Sequence, residues 1–363
     1  MACRTPALGG HRYGCQQCGQ SHFVPHSCRN RHCPVCQGQA AHRWLNQQES
    51  RLLPIAYFHL VFTLPHGLNP LIQQNQRALY NLLFSSASQT LLQFGQNRFQ
   101  AQLGLTAVLH TWSQTLVDHY HLHCIVTGGG LSRDGTRWVS ASSRYLFSIH
   151  ALAKVFRGKF CAGLQQLHAE QQLQFHGQLS ALAQPAAFAQ LLRQATHKKW
   201  VVYAKRPFAG PKQVLAYLSR YTHRVALSPR RLLALNPQNQ RVTFAWKDYA
   251  DQAKPKTMTL EVKEFVRRFC LHLLPKRFVK IRHFGFLSNR YCQTKVAQAR
   301  SLLQTPSAKE SAPSDAPSPP AAAQNIMAAR RLCPYCGSDR LYLIEIVPPL
   351  YARFAPTPIL DSS

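Results

Sequence analysis

The strongest constraint on the fold is a run of alternating side chains between residues 118 and 126. Positions 119, 121 and 123 are histidine, whereas the even positions from 120 to 126 are Tyr, Leu, Cys and Val. Because successive side chains of a β-strand point to opposite faces, the pattern predicts a strand with an imidazole face and a core face. Three imidazoles in a row pack poorly but suit a metal ion, which makes His119, His121 and His123 candidate ligands. The alternative is a solvent-facing strand that is merely rich in histidine.

Two cysteine pairs near the N-terminus predict a zinc site. Cys15 and Cys18 form one Cys-x2-Cys pair, and Cys33 and Cys36 form another. Two such pairs on one tetrahedral ion are typical of a zinc ribbon or knuckle, and four thiolates leave no position for water. We therefore expect a closed, structural zinc site. Spare ligands that could exchange with these or hold a second ion are Cys3, His22, His26, Cys28 and His32.

A third cysteine pair, Cys333 and Cys336, lies near the C-terminus. No Cys or His follows it, so a closed metal site there needs distant ligands or a second chain. The distant candidates in this chain include Cys270, His283 and Cys292. Metal binding by the third pair therefore remains an open alternative.

The charge and the hydropathy of the chain indicate which partners and which cellular location to expect. The chain carries 43 Lys+Arg and 13 Asp+Glu, a formal net charge of +30, and nucleic acid is the commonest partner for such a surface. The scarce, scattered carboxylates disfavour a nuclease or transposase built on a carboxylate triad. No run of about 20 apolar residues predicts a membrane span, and the first residues lack the apolar core of a signal peptide. We therefore expect a cytoplasmic protein with no membrane partner and with reduced or metal-bound cysteines.

Composition divides the chain into four segments. Residues 1–48 are rich in Cys and His and predict the zinc-binding domain, whereas residues 50–297 carry the periodic apolar patterns of a folded domain. Residues 298–330 are a Pro/Ala/Ser-rich linker, and residues 331–363 form a tail. Hairpin-like strands mixed with helices, without βαβ alternation, predict an α+β fold with an antiparallel sheet in the second segment.

Local patterns predict the elements of the central segment. The predicted strands are 57–64, 119–127, 200–204, 232–235, 242–246 and 257–260. The predicted helices are 69–102, 151–193 with a break near Pro185, 211–224 and 263–274.

The predicted helix over 211–224 carries a pair of tyrosines. Tyr217 and Tyr221 are four residues apart and so are neighbours on one helix face. Arg220 and Arg224 form a second such pair beside them. Ordinary packing of the tyrosines in an apolar stripe is the alternative. Their combination with the histidine strand and the charge of the chain favours a site for an anionic substrate.

These residues together resemble a known family. His121, Leu122 and His123 resemble the HUH motif, in which a hydrophobic residue separates two histidines. With Tyr217 and Tyr221 downstream, the chain resembles the two-tyrosine HUH rolling-circle transposases of bacterial insertion sequences. Residues 27–36 look like that family's N-terminal zinc-binding domain. Other similar segments are 61–65, 121–130, 246–249 and 281–286.

The resemblance covers roughly residues 3 to 295 and implies both a fold and a metal site. The fold is a palm-like antiparallel sheet with the histidine strand at its centre and the tyrosine helix against it. A catalytic Mg²⁺ or Mn²⁺ would sit on His121 and His123. The third ligand is left open among His119, Gln213 and His223.

The same resemblance assigns Tyr217 and Tyr221 as nucleophiles. A tyrosine hydroxyl would attack single-stranded DNA, form a 5′-phosphotyrosine link and free a 3′-OH, and the second tyrosine would resolve the intermediate. The expected DNA-binding residues are Lys205, Lys212, Arg220 and Arg224. The expected partner is single-stranded DNA at transposon ends and at the target, with the host replication machinery as a candidate. The protein would act on the bacterial nucleoid, and its oligomeric state is left open.

Two other classes of protein remain alternatives. One is a replication initiator or relaxase with the same chemistry, which the zinc segment and the flanking motifs disfavour. The other is a zinc-containing DNA- or RNA-binding protein that has lost catalysis, which the intact histidine pair and both tyrosines disfavour.

Overall fold

A computed structural model describes residues 3–30, 32–142, 146–208, 213–214, 226–304 and 332–350. The chain divides into two compact units. The smaller unit combines residues 1–39 with residues 307–363, and the larger unit comprises residues 40–306.

The described residues form strands and helices in the following order. The strands are β1 (Gly10–Cys15), β2 (Ser21–Pro25), β3 (Tyr57–Thr63), β4 (Ala101–Trp112), β5 (Asp118–Ser132), β6 (Trp138–Ser140), β7 (Val201–Phe208), β8 (Leu232–Asn236), β9 (Arg241–Asp248), β10 (Lys254–Glu261), β11 (Ile281–Gly285) and β12 (Leu341–Val347). The α-helices are α1 (Pro34–Glu49), α2 (Asn69–Gln74), α3 (Gln76–Phe99), α4 (Ile149–Ala169), α5 (Pro185–His197), α6 (Val262–Cys270) and α7 (Cys292–Gln304). Within these parts of the chain, no helix is both long and apolar enough to span a membrane.

The smaller unit is built on an antiparallel sheet of three strands in the order β12-β1-β2. Gly10 lies opposite Val347 and Cys15 lies opposite Leu341, so β12 follows the whole length of β1. The C-terminal segment, predicted as a separate tail, is therefore part of the N-terminal unit. A local pattern could not show this, because strand pairing depends on which distant segments meet.

The boundary between the units falls after residue 39, not at residue 48 as the composition predicts. The reason lies in α1, which continues to Glu49. Its side chains Trp44 and Leu45 pack with Tyr57 of the larger unit's sheet.

The larger unit confirms the predicted α+β fold with an antiparallel sheet. Its main sheet has the strand order β11-β4-β5-β3-β7, and β6 pairs with β5. The predicted histidine strand is β5, which lies at the centre of this order. Its alternation is also confirmed, because Tyr120, Leu122, Cys124 and Val126 all belong to the main apolar core.

Two helices cover the core face of this sheet. In α4, Leu152, Phe156, Phe160 and Leu164 recur every four residues, and each is 0% exposed. Such spacing places all four on one helix face. The ring of Phe156 meets that of Phe62 edge-on, with centroids 5.0 Å apart. Each such buried side chain contributes about 1.5–3 kcal/mol, so α4, together with α3, fixes the sheet firmly.

A second antiparallel sheet, in the order β10-β9-β8, follows in the larger unit. Phe244 of β9 is fully buried against Leu116, Ala226 and Leu227. Because Leu116 lies between β4 and β5, this contact holds the small sheet beside the end of the histidine strand.

One strand of the structure is missing from the prediction, and one predicted helix lies mostly outside the described residues. The local patterns do not predict β4: they assign residues 69–102 to a helix and residues 103–112 to no element. The predicted helix over 211–224 lies outside the described residues except for Gln213 and Val214, which are helical. Val214 is 0% exposed and packs with Tyr57 and Ile125 of the main sheet.

Candidate functional site

Three histidines converge on the face of the main sheet opposite the core. His121 and His123 come from β5, and His110 comes from β4, directly opposite His121 in the strand register. One ring nitrogen of each lies within 4.8 Å of those of the other two. The rings of His110 and His123 are 4.4 Å apart between centroids. Three imidazole nitrogens at about 2.1 Å from one ion are about 3.0–3.4 Å apart, so binding of a metal would draw these nitrogens closer together.

Hydrogen bonds orient two of these rings. His121 Nδ1 lies 2.8 Å from the backbone oxygen of His119, and because a carbonyl only accepts, Nδ1 carries the proton. The lone pair of His121 therefore lies on Nε2. His123 Nδ1 lies 2.9 Å from Nε2 of His59, a buried side chain on β3. Such partners typically fix the orientation and the tautomer of metal-binding histidines.

Burial also keeps His121 in the form that can bind a metal. It lowers the pKa of His121 well below the ordinary histidine value, and the neighbouring His123 and His119 lower it further. The folded chain therefore holds this imidazole neutral near pH 7, the form that can bind a metal.

The third member of the group is His110 and not His119. His119 lies on the same face, as predicted, but it is outside the group of ligand atoms. Its ring stacks on His66 instead, with centroids 5.4 Å apart. His110 is the third member because the β4–β5 register places it opposite His121 and beside His123. Of the other candidates, Gln213 is exposed and His223 lies outside the described residues.

The triad lies in a pocket of about 780 Å³. The rest of the lining includes one acidic residue, Asp248, and several aromatic and basic residues on β4 and β7 and at or just after the end of β9: Trp112, Tyr203, Trp246, Lys247 and Tyr249. Tyr203 is 54% exposed and Tyr249 is 69% exposed, so both rings are accessible. Exposed aromatic faces beside a cation are the features by which proteins bind unpaired nucleotides.

Several predicted site residues are not described. Tyr217, Tyr221, Arg220, Arg224 and Lys212 lie outside the described residues. For Lys205 the structure describes the backbone, which pairs with that of His59 in the β3–β7 register.

A first cysteine cluster lies in the smaller unit. Its members are Cys3, Cys28, Cys33 and Cys36, whose sulfur atoms all lie within 4.8 Å of one another. The Sγ atoms of Cys3 and Cys36 are 3.4 Å apart, and those of Cys28 and Cys36 are 3.7 Å apart. Four sulfurs at about 2.3 Å from one tetrahedral zinc ion are about 3.8 Å apart, so the cluster fits this ion.

A second cluster contains the other predicted pair. The prediction that Cys15 and Cys18 share one ion with Cys33 and Cys36 is wrong, because the structure divides the two pairs between clusters. Cys15 ends β1, and its neighbour β12 leads back to the C-terminal cysteine pair. The members of the second cluster are Cys15, Cys18, Cys333 and Cys336.

Comparisons with known proteins agree with this geometry. Residues 104–295, more than half of the chain, match the family model described as "Putative transposase". Residues 1–64 match the model described as "Transposase zinc-binding domain". The chain belongs to the two-tyrosine transposase family of bacterial insertion sequences. This transposase therefore carries a structural zinc site, and the first cluster, which lies entirely within the second match, fits it.

Two relatives support the assignment. The transposase is 43% identical over 350 residues to "Putative transposase y4qJ" of Sinorhizobium fredii (strain NBRC 101917 / NGR234), which covers 95% of this chain and 87% of the relative. It is 31% identical over 297 residues to the transposase for insertion sequence element IS801 of Pseudomonas savastanoi pv. phaseolicola, covering 80% of this chain and 69% of that protein. A solved conjugative relaxase, TrwC in complex with oriT DNA, aligns with 67% of this chain and 70% of its own at 12% identity. Its TM-score of 0.24 is too low to carry an argument.

Local sequence patterns miss three contributors to these sites. His110 is missed together with β4, although the apolar, partly β-branched run 103–109 before it is typical of a strand buried on both faces. His59 follows the same alternation as Val61 on β3, a signal that could have placed it on the histidine face. The third cysteine pair is visible in the sequence, but its expected partners lie in the wrong segments.

Proposed function

We propose that this transposase cleaves and rejoins single-stranded DNA at the ends of an insertion sequence through a 5′-phosphotyrosine intermediate, in rolling-circle transposition. The observation that carries the proposal is the triad of His110, His121 and His123 in an aromatic and basic pocket. A closed thiolate site could not serve this chemistry, because a scissile phosphate needs a free position on the metal.

The triad would hold a Mg²⁺ or Mn²⁺ ion. Three imidazoles leave coordination positions open, and imidazole suits Mn²⁺ better than the harder Mg²⁺. When bound, the ion would polarise an oxygen of the scissile phosphate. The protein's own contribution is to keep His121 neutral and to orient His123 through His59.

Tyr217 and Tyr221 are the proposed nucleophiles. A phenol with a pKa of about 10 is mostly protonated near neutral pH, so its phenolate needs stabilisation, for which Arg220 and Arg224 are proposed. Val214, three residues before the first tyrosine, is helical and is buried against Tyr57 and Ile125 of the main sheet, which supports the proposed tyrosine helix.

Stacking and charge support single-stranded DNA as the substrate. Unpaired bases expose faces that Trp246, Tyr249 and Tyr203 could stack on, each such contact contributing about 1–3 kcal/mol. The net charge of +30 favours the phosphate backbone, for which Lys205 and Lys212 are proposed contacts. Target DNA and the host replication machinery would meet the complex on the nucleoid.

Trapping the covalent intermediate tests this function. The full chain is incubated with single-stranded oligonucleotides from the element ends and Mn²⁺, and adducts that survive denaturation are counted. A 5′-phosphotyrosine link retains the 3′ part of the strand, so a 3′-end label should enter the adduct. A 5′-end label should leave on a free product with a 3′-OH. We expect the adduct to disappear in the Tyr217→Phe/Tyr221→Phe double variant.

Tyr249→Phe is the matched control, because this exposed tyrosine lines the same pocket but lies outside the proposed helix. It should form the adduct like the wild type, and the single variants should assign each tyrosine its step. An adduct that persists in the double variant would move the nucleophile elsewhere. Binding without adduct in every variant would instead identify a DNA-binding protein that has lost catalysis.

A further inference from the structure

The second cysteine cluster has the geometry of a metal site. The Sγ atoms of Cys15 and Cys336 are 3.6 Å apart, and so are those of Cys18 and Cys333. A disulfide would require about 2.05 Å, whereas the edge of a tetrahedral zinc–thiolate site is about 3.8 Å. All four sulfur atoms lie within 4.8 Å of one another.

The two turns that supply these cysteines have the same construction. In each, Cys-x2-Cys is followed by glycine, and Gly19 and Gly337 adopt φ of 70° and 74°. The N–H of Gly19 donates to the oxygen of Cys15 at 2.9 Å, and Gly337 donates to Cys333 at 2.9 Å. The N–H of each first cysteine also donates to the carbonyl five residues on, at 3.0 Å and 2.8 Å. Such a turn aims both thiols at one point, and here two copies face each other.

The Cys33 pair is built differently, so the similarity of the other two pairs is not a property of every Cys-x2-Cys in the chain. Its second cysteine, Cys36, lies within α1, and Gln37 takes the place of the glycine. The two similar turns are brought together by β1 and β12, and the N–H of Gln16 donates to the oxygen of Arg340 at 3.0 Å just beyond the strands. Arg12 and Glu345 form a salt bridge of 2.7 Å across the same pair of strands.

The described residues of the smaller unit also form no apolar core that could replace a metal. Among its described residues, the buried non-glycine side chains are Cys15, Cys33 and Cys333. On β12, Tyr342, Ile344 and Ile346 are all exposed. A sheet of three short strands without a core is marginal in water, and small domains of this kind are commonly stabilised by a structural metal.

We propose that Cys15, Cys18, Cys333 and Cys336 bind a second structural zinc ion, which fastens the C-terminal segment to the N-terminal sheet. The ion would join cysteines 315 residues apart in sequence, Cys18 and Cys333. Cys333 and Cys336 lie outside the match to the zinc-binding domain, which ends at residue 64, and the site does not depend on the proposed DNA chemistry.

Zinc content of the purified full chain, measured by elemental analysis, is the first test. We expect two zinc ions per chain in the wild type and in Cys270→Ser, a control at an exposed cysteine outside the clusters of the described residues. The Cys333→Ser/Cys336→Ser variant should retain about one ion, because the first cluster keeps its four thiols. One ion in the wild type would overturn the proposal, and so would two in the double variant.

The double variant could unfold and lose both ions, so alkylation of the wild-type chain provides a second test that needs no variant. Cys336 and Cys270 are both exposed, so without a metal both should react readily. In the zinc-loaded chain we expect Cys336 to react about tenfold more slowly than Cys270, or slower still, and to recover after chelation. Equal rates with zinc present would overturn the proposal. Protection that resists the chelator but yields to a reductant would indicate a disulfide and would overturn it too.

Discussion

The cysteine clusters of the smaller unit and the histidine triad of the larger unit differ in whether a bound metal would keep a free coordination position. Each cluster offers four thiolates, which fill the coordination of a tetrahedral ion and leave nothing for a substrate. The triad offers three imidazoles that face a pocket. Ligand number and type therefore separate a metal that holds the chain together from one that takes part in chemistry.

The two regions also differ in whether they have a packed core that is independent of a metal. Cys15, Cys33 and Cys333 are themselves the buried side chains of the described part of the smaller unit, so we expect its order to depend on the ions proposed for the two clusters. The triad lies on a sheet whose other face is packed by α3 and α4. Metal removal should therefore unfold the first region and leave the second folded but inactive.

The largest expected effect comes from removing a triad ligand. His121→Ala should lower DNA cleavage by about a thousandfold or more, because the phosphate loses its electrophilic partner. The zinc content should stay at the wild-type value. Single-turnover cleavage of an element-end oligonucleotide measures the first effect, and elemental analysis measures the second.

His66→Ala is the matched control, since His66 lines the same pocket and lies outside the triad. It should cleave within about tenfold of the wild type. Normal cleavage by His121→Ala, or a loss of zinc in that variant, would remove the distinction between the two kinds of site.

Acid should weaken the larger unit without involving any metal. Burial, together with the charge of Arg51, lowers the pKa of His283 to about 4 in the folded chain. In the unfolded chain the pKa of this histidine is about 6.5. Between pH 6.5 and pH 4 the histidine is therefore protonated in the unfolded chain but neutral in the folded chain. The stability that His283 contributes is therefore complete above pH 6.5 and falls by about 3 kcal/mol as the pH is lowered to 4, in addition to any loss from other buried histidines with lowered pKa values, such as His121 and His272.

Chemical denaturation at pH 7 and pH 4 measures this loss for the larger unit. In His283→Gln, which can still reach Thr106, the hydrogen-bond partner of His283, most of that fall should vanish. The acid-induced loss of zinc from the smaller unit should be unchanged. An identical pH dependence in the variant and the wild type would show that another group controls the acid sensitivity of the sheet.

A smaller effect should follow from disturbing the support of the triad. His59 lies beside His123 and outside the group of ligands, so His59→Leu should weaken Mn²⁺ binding by about 10- to 100-fold without abolishing it. His59→Gln places an amide where Nε2 was and should recover part of the loss. Isothermal titration of the zinc-loaded chain with Mn²⁺ gives both affinities, and equal losses in the two variants would argue against an orienting hydrogen bond.

The sequence predicts which neighbouring residues share one strand face or one turn better than it predicts which distant residues join them. Alternation along β5 is local, so the sequence alone assigns His121 and His123 to one face of the strand and Tyr120 to the other. It cannot assign His110, because β4 is buried on both faces and lacks alternation. The position of His110 opposite His121 arises from strand register, which no local pattern encodes.

The cysteines teach the same lesson at longer range. The spacing of Cys15 and Cys18 predicts a ligand pair, and the structure places both in one cysteine cluster, yet the nearest second pair in sequence belongs to the other cluster. The other two cysteines of that cluster, Cys333 and Cys336, are brought there because β1 pairs with β12, which joins segments near the two ends of the chain. The assignment of Tyr217 as a nucleophile stays a prediction.

The most direct test of the account asks whether sheet register, and not proximity along one strand, creates the open metal site. Mn²⁺ bound to the zinc-loaded full chain is measured by electron paramagnetic resonance for the wild type, His110→Gln and His119→Gln. We expect one bound ion in the wild type, a loss of affinity of about 100-fold or more in His110→Gln, and nearly unchanged binding in His119→Gln. Wild-type affinity in His110→Gln, with loss in His119→Gln, would contradict the account and return the third ligand to β5.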